Sequence, residues 1–302
     1  MTLDVVVLTG MSGSGKSVAL NALEDAGYYC VDNLPPEMLP QLIDLESLRS
    51  GTGSRMLAVS VDARSADSLP HLLPALDDAQ KSGATVRALF LDASDESLVH
   101  RYSESRRPHP LLKPRQYTPL PSALTDDDNL AYQALADTIA RERELLAPLR
   151  ERSAVIDTTL LRPAQLRSWI LQTVQARPAS LTLVFESFAF KHGVPPDADF
   201  VFDTRMLPNP HYIKELRPLT GRDQPVIDYL QQQPEASELL DQIEAFLVRW
   251  LPALASDQRS YVTVAIGCTG GQHRSVYCVE QLKHRFIGRQ VVLARHREQD
   301  AR

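Results

Sequence analysis

The sequence predicts an α/β protein in two parts: an N-terminal domain built on a parallel sheet over residues 1–176, and a C-terminal α/β domain over residues 177–302. Three observations predict it. Short β-branched runs alternate with longer amphipathic segments, as they do in βαβ units. Each half carries a glycine-rich loop joining an apolar run to a helical segment. The halves are separated by the polar stretch Arg177-Pro-Ala-Ser180, whose proline cannot continue the helix before it.

In the first half, strands are expected at residues 5–8, 28–31, 56–61, 86–91 and 154–156, with helices between them. Val5-Val-Val-Leu8 is apolar throughout rather than alternating, which fits a strand buried on both faces in the middle of a parallel sheet. Residues 101–125 are rich in Pro and Arg without periodicity and read as an exposed loop or lid. The second half opens on a strand at 181–185 and passes through a Pro-rich irregular stretch at 192–225. A helix at about 235–250 and a buried strand at 261–266 follow. No fixed-period repeat is present.

Composition narrows the class. A 43% hydrophobic chain of 302 residues fills two ordinary cores. Three cysteines without a CxxC pair exclude a disulfide framework and point to a reducing compartment, so a cytoplasmic location is expected. No uncharged apolar run approaches membrane-spanning length, and no membrane partner is expected. The net charge of −6 excludes a generally basic nucleic-acid coat. All the excess acid lies in residues 1–176, since residues 177–302 balance at 15 basic and 15 acidic groups.

Gly10-Met11-Ser12-Gly13-Ser14-Gly15-Lys16-Ser17 satisfies G-x-x-x-x-G-K-[ST] between an expected strand and an expected helix at 17–26. Glycines let backbone N–H groups turn inward around an anion, and the helix start adds partial positive charge. Lys16 is expected to reach the β- and γ-phosphates of ATP or GTP, and the Ser17 hydroxyl to ligate Mg²⁺. Asp92, closing Leu89-Phe-Leu-Asp92, is the candidate for the metal's water shell. Asp32 and Asp62 also end strands at the edge where open α/β sheets bind ligands. Arg101, Arg106 and Arg107 suit a lid over a transferred phosphate, which keeps open the alternative of a small-molecule kinase.

The second loop is Ile266-Gly-Cys268-Thr269-Gly270-Gly271-Gln-His273-Arg274-Ser275. Successive small residues can aim amides at one oxyanion while Arg274 supplies a two-pronged guanidinium. The spacing also matches the C-x-x-G-x-x-R-[ST] loop of cysteine phosphatases, although Gly267 stands where a histidine is usual. His192 and His211 lie in irregular segments able to close over this loop. With His273 they lack metal-ligand spacing, so no structural metal is expected. Between residues 281 and 297, Lys283, Arg285, Arg289, Arg295 and Arg297 carry five positive charges with no acid, a candidate basic surface for nucleic-acid phosphates.

Gly10–Ser17 with Val18-Ala-Leu, Tyr29-Cys-Val-Asp-Asn-Leu-Pro35, Val184-Phe-Glu-Ser-Phe188, Lys191-His-Gly193, Leu207-Pro-Asn-Pro-His211, and Ala265–Gly271 with His273-Arg-Ser275 resemble the RapZ-like (YvcJ-like) nucleotide-binding proteins. The resemblance runs over nearly the whole chain. It implies a P-loop domain with weak ATPase and GTPase activity, joined to a C-terminal domain resembling part of a phosphofructokinase. It also implies an RNase adapter that binds a small regulatory RNA, presents it to the endoribonuclease RNase E, senses glucosamine-6-phosphate and assembles as a homo-oligomer, a tetramer. On this chain the ATP loop falls on Gly10–Ser17 and a GTP-contacting segment on Asp62, Ala63, Arg64 and Ser65. The sugar-phosphate pocket falls on His192, His211, Thr269, Gly270, His273 and Arg274. The family's RNA-contacting basic cluster sits at the extreme C-terminus, whereas this chain ends Arg297-Glu-Gln-Asp-Ala-Arg302. Lys283–Arg297 is therefore the segment left for that role.

Overall fold

The computed structural model describes residues 3–48, 56–105, 108–112, 126–175, 181–256 and 261–299. The chain divides into two compact units, Met1–Val174 and Gln175–Arg302.

The N-terminal unit runs β1 (Asp4–Gly10), α1 (Lys16–Asp25), β2 (Tyr29–Val31), α2 (Leu39–Leu48), β3 (Met56–Ser60), α3 (Leu72–Lys81), β4 (Thr85–Asp92), α4 (Asp95–Ser105), α5 (Asp126–Glu151), β5 (Ala154–Asp157) and α6 (Pro163–Gln175). Its five strands form a parallel sheet in the order β2-β3-β1-β4-β5. The all-apolar β1 takes the middle position, with Val5, Val6, Val7 and Leu8 wholly buried. Every strand points its C-terminal end to one edge, and β1 delivers Gly10 there beside Leu91 of β4.

The C-terminal unit runs β6 (Thr182–Ala189), β7 (Phe200–Asp203), α7 (Gln224–Gln231), α8 (Pro234–Ser256), β8 (Tyr261–Cys268), α9 (Arg274–Phe286) and β9 (Val291–His296). The strands again run parallel, in the order β7-β8-β6-β9. Along α8, Ala236, Leu240, Ile243, Leu247 and Leu251 recur every three or four residues. That spacing makes one apolar stripe, which packs into the core containing Val262, Val264 and Ile266 of β8.

The structure corrects three expectations. Residues 101–105 are the last turns of α4 rather than a loop, because Arg101 is tied down from that helix. Residues 108–112 are described as a turn, while Arg106, Arg107 and residues 113–125 lie outside the described residues. The stretch 192–225 contains β7, a four-residue run hidden in the sequence behind Pro195 and Pro196. The basic segment after Gln281 supplies β9, whose apolar start, Val291-Val-Leu-Ala294, pairs with β6. Among the described residues, no helix is long and apolar enough to cross a membrane.

Candidate phosphate-binding sites

The first site forms where β1 turns into α1. Gly10, Gly13 and Gly15 have φ of +132°, +88° and +104°, a region open to glycine and strained for other residues. A Cβ on Gly15 would stand 2.8 Å from Leu166 Cδ2. Met11 N donates to Leu91 O at 3.0 Å and Ser14 N to Met11 O at 3.1 Å, which curls the loop. The amides of Gly13 and Gly15 take no intramolecular partner among the described residues, and no side chain caps the start of α1. Ser14 Oγ is buried without a partner among the described residues. Ser17 is exposed in the first turn of α1. Lys16 Nζ donates to Gly10 O at 2.7 Å and Met11 O at 3.1 Å, which keeps its cation against the loop. Open amides, a cation and an exposed hydroxyl fit a nucleotide phosphate with its Mg²⁺.

Two longer-range contacts brace this loop. Glu142, from α5, accepts from Ser12 N with both oxygens, at 3.1 and 3.0 Å, and from Ser12 Oγ at 2.6 Å. His109 Nε2 lies 3.1 Å from Glu142 Oε2, and both side chains are fully buried. Burial raises the pKa of this carboxyl, but hydrogen bonds from His109 and Ser12 outweigh it and leave the group below its ordinary value. On the other side, Arg101 Nη1 donates to Gly13 O and to Thr158 Oγ1, both at 3.1 Å. Arg101 is thus a brace of the loop rather than a mobile lid residue. Glu142→Gln, which keeps the shape and removes the charge, is expected to lower the stability of the N-terminal unit by about 1 to 2 kcal/mol. Urea unfolding followed through the buried Trp169, in a Trp250→Phe background, measures this.

Asp92 is otherwise engaged. Its Oδ1 accepts from Arg143 Nη1 at 2.7 Å and from Ala93 N at 2.8 Å, and its Oδ2 accepts from Arg150 Nε at 2.9 Å. Residues 143 and 150 are two turns apart on α5, so one face of that helix presents both guanidinium groups to the end of β4. With both oxygens held by arginines, Asp92 serves as an anchor for α5 rather than as the expected support for a metal's water shell. Asp62 is buried, and with Ala63 it stands where the chain enters a 3₁₀ helix, Ala63–His71. The side chains of Arg64 and Ser65 lie outside the described residues. Asp32 is exposed just beyond β2, next to Asn33 at φ +53°.

The second site forms where β8 turns into α9. Gly271 has φ +65°. The Cys268 sulfur accepts from Gly271 N at 3.2 Å and lies 3.2 Å from Ser275 Oγ. The buried Arg274 anchors Nη1 on Arg205 O and Leu207 O, both at 2.9 Å, and brings Nη2 to 3.4 Å from Thr269 Oγ1. Its Nε has no partner among the described residues. The amides of Thr269 and Gly270 take none among the described residues. An oxyanion therefore finds free amides and the open edge of one guanidinium together. At Gly267, where the phosphatase signature usually has a histidine, a side chain has no room: a Cβ there would stand 2.5 Å from both the Phe188 and Phe190 rings.

Of the predicted histidines, His273 donates Nε2 to Leu216 O at 3.2 Å, and burial pushes its pKa below the ordinary value. His211 stands with its ring 6.3 Å from that of His273. His192 Nδ1 contacts Glu298 Oε2 at 3.0 Å. Sequence reasoning missed Glu298, which also accepts from Ala189 N at 3.3 Å and lies where a Gly271 Cβ would point. It missed Arg205 too, whose guanidinium sits 4.0 Å over the Phe190 ring. Single charged residues in irregular stretches carry no spacing that would reveal them.

The expected basic surface at 283–297 is not formed in the described structure. Lys283 pairs with Glu280 at 3.4 Å, Arg285 with Asp241 and Glu244 at 2.6 and 3.0 Å, and Arg289 with Glu244 at 2.8 Å. Arg295 and Arg297 are only 2% and 4% exposed: β9 carries Arg295 into the unit, and Arg297, just past the strand, donates its amide to Ser187 O at 3.1 Å and Nη2 to Gly193 O at 2.6 Å. The acids that neutralise the segment come from α8 and α9, outside the window whose charge was counted.

A parallel sheet whose central strand runs into G-x-x-x-x-G-K-S, with open amides at the helix start, defines a P-loop nucleotide-binding protein. The family profiles and sequence relatives agree. The RapZ-like N-terminal domain profile matches residues 3–177 and the RapZ C-terminal domain profile residues 181–300. A nucleotide-binding protein of Methylibium petroleiphilum is 65% identical over 298 residues, covering 99% of this chain and 95% of its own. One from Leptothrix cholodnii is 59% identical, covering 99% and 90%. Among solved structures, the shikimate kinase of Bacteroides thetaiotaomicron aligns over 57% of this chain and 96% of its own, at 15% identity and a TM-score of 0.34. The chain belongs to the RapZ-like family of nucleotide-binding proteins.

Proposed function

We propose that the protein is a nucleotide-dependent regulator that binds Mg²⁺ with ATP or GTP at Gly10–Ser17 and hydrolyses it slowly. Its C-terminal loop senses a sugar phosphate, glucosamine-6-phosphate by resemblance. The observation that carries this reading is the repeated design: in each unit a buried parallel strand ends in a glycine-lined loop with unpartnered amides and a cation beside it. Ser17 would hold Mg²⁺, which supplies charge neutralisation at the β- and γ-phosphates. Lys16 would trade its two loop carbonyls for phosphate oxygens. His192, His211, Thr269, Gly270, His273 and Arg274 would line the sugar-phosphate site. Presentation of a small regulatory RNA to RNase E, and assembly into a tetramer, rest on the family resemblance alone.

Calorimetric titration tests the two sites separately. Lys16→Ala removes one charge-assisted contact of about 1.5 to 3 kcal/mol, so ATP and GTP affinity is expected to fall by about 10- to 100-fold with sugar-phosphate affinity unchanged. Arg274→Ala is expected to give the reverse pattern. Retained nucleotide affinity in Lys16→Ala, or retained sugar-phosphate affinity in Arg274→Ala, removes that site from the reading.

A further inference from the structure

We propose that Cys268 is a nucleophile and that the C-terminal loop hydrolyses phosphomonoesters through a phosphocysteine. The proposal rests on the reading of this loop as a phosphoester site and adds a chemical step to it. Three independent features converge on the sulfur. Gly271 N donates to it at 3.2 Å, and the Ser275 hydroxyl lies 3.2 Å away, placed to donate to a thiolate at this position. Arg274 is anchored through Nη1 and brings Nη2 to the residue next to Cys268, while its buried Nε has no partner among the described residues. That leaves one edge of a buried guanidinium for two oxygens of a phosphoryl group. The loop then turns into α9, whose first amides add partial positive charge.

Neither of the other cysteines shares this setting. Burial pushes the Cys278 thiol up to about 12 and the Cys30 thiol up to about 11, and Cys30 Sγ donates to the Leu20 carbonyl at 3.5 Å. At the rim of the loop, His192 and Glu298 share a hydrogen bond at 3.0 Å, with the Glu298 side chain against Gly271.

The chemistry balances with water as the co-reactant. The Cys268 thiolate attacks phosphorus, and the S–P bond forms as the P–O ester bond breaks. The departing oxygen takes a proton from the His192–Glu298 pair, releasing an alcohol. Water then attacks the phosphocysteine, returns its proton to the same pair, and yields inorganic phosphate and the free thiolate.

The test uses the full chain with p-nitrophenyl phosphate and phenyl phosphate as substrates and inorganic phosphate as the calorimetric ligand. Wild type is expected to turn over both esters, with a phosphoryl adduct on the Cys268 peptide after rapid quench. Cys268→Ser is expected to lose turnover by about 10³-fold or more while its phosphate affinity stays within about threefold. Ser275→Ala, which keeps the cysteine, is expected to slow turnover by about 10-fold or more without weakening phosphate. His192→Ala is expected to slow phenyl phosphate more than p-nitrophenyl phosphate, because the poorer leaving group needs the proton. Phosphate binding without turnover in the wild type, or equal turnover in wild type and Cys268→Ser, overturns the proposal and spares the binding site. Absence of phosphate binding in the wild type overturns both.

Discussion

Gly10→Ala is expected to unfold the N-terminal unit at temperatures the wild type tolerates, at a cost of about 4 kcal/mol or more. Two effects add at this position. The backbone sits at φ +132°, which an alanine adopts only under strain. The new methyl carbon would also stand 2.1 Å from Leu91 O and 2.6 Å from Leu91 N, both backbone atoms of the neighbouring central strand. Neither can give way without opening the β1–β4 ladder that carries the sheet. Gly270→Ala is the control, since nothing lies within 4 Å of its Cβ direction and its φ is not positive; its effect on stability is expected to stay within about 0.5 kcal/mol. Differential scanning calorimetry of the two variants separates them, and a Gly10→Ala protein melting with the wild type would refute the geometry of the loop.

Acid is expected to weaken the C-terminal unit through one carboxylate. Glu280 Oε1 accepts from His296 Nε2 at 2.9 Å and from Arg222 Nε at 3.2 Å, and Oε2 pairs with Lys283. Behind it, His296 Nδ1 shares a 2.8 Å hydrogen bond with Ser187 on the central strand β6, so the wholly buried imidazole joins the strand to α9. The hydrogen bond from His296 is the main cause that holds the Glu280 carboxyl down at about 2 against an ordinary 4.5. A depressed carboxylate stabilises the fold above its unfolded pKa and ceases to do so as pH falls through its folded value. The contribution is therefore complete above about 4.5, declines below it and is gone below about 2, amounting to about 1 to 2 kcal/mol for a half-buried carboxylate screened by solvent. Denaturant unfolding of wild type and Glu280→Gln between pH 7 and pH 3 measures it: the gap between them is expected to be constant down to about pH 5 and to narrow below. A gap that does not change with pH would refute the assignment.

What the sequence revealed follows from the range of each interaction. The unbroken apolar run of β1 and the glycine spacing after it are local patterns, so both the central strand and the first loop could be read directly. The second loop was legible for the same reason. The arginine contacts of Asp92 are not legible in sequence, because a strand-end aspartate looks alike whether it faces a metal or two arginines contributed from 51 and 58 residues away. Arg295 and Arg297 look like surface charges in the sequence because they crowd the end of a short strand; the pairing of β9 with β6 turns Arg295 inward, and Arg297 follows with its amide on Ser187 O. Glu142, reaching Ser12 across 130 residues of chain, left no local trace at all.

The brevity of β7 bears on how the C-terminal unit avoids sticking to itself. It is an outer strand, and an outer strand offers unpaired amides and carbonyls to any passing chain. Here the template is four residues long, preceded by two prolines and closed at its far end by the Asp203–Arg205 ion pair. At its near end Asp199 bonds back to Thr263, with backbone N to O at 2.9 Å and carboxylate to N at 2.8 Å, turning the entering chain inward. A second molecule would find too few free groups there to add a strand, so the unit can expose Val201 at its rim without seeding fibrils.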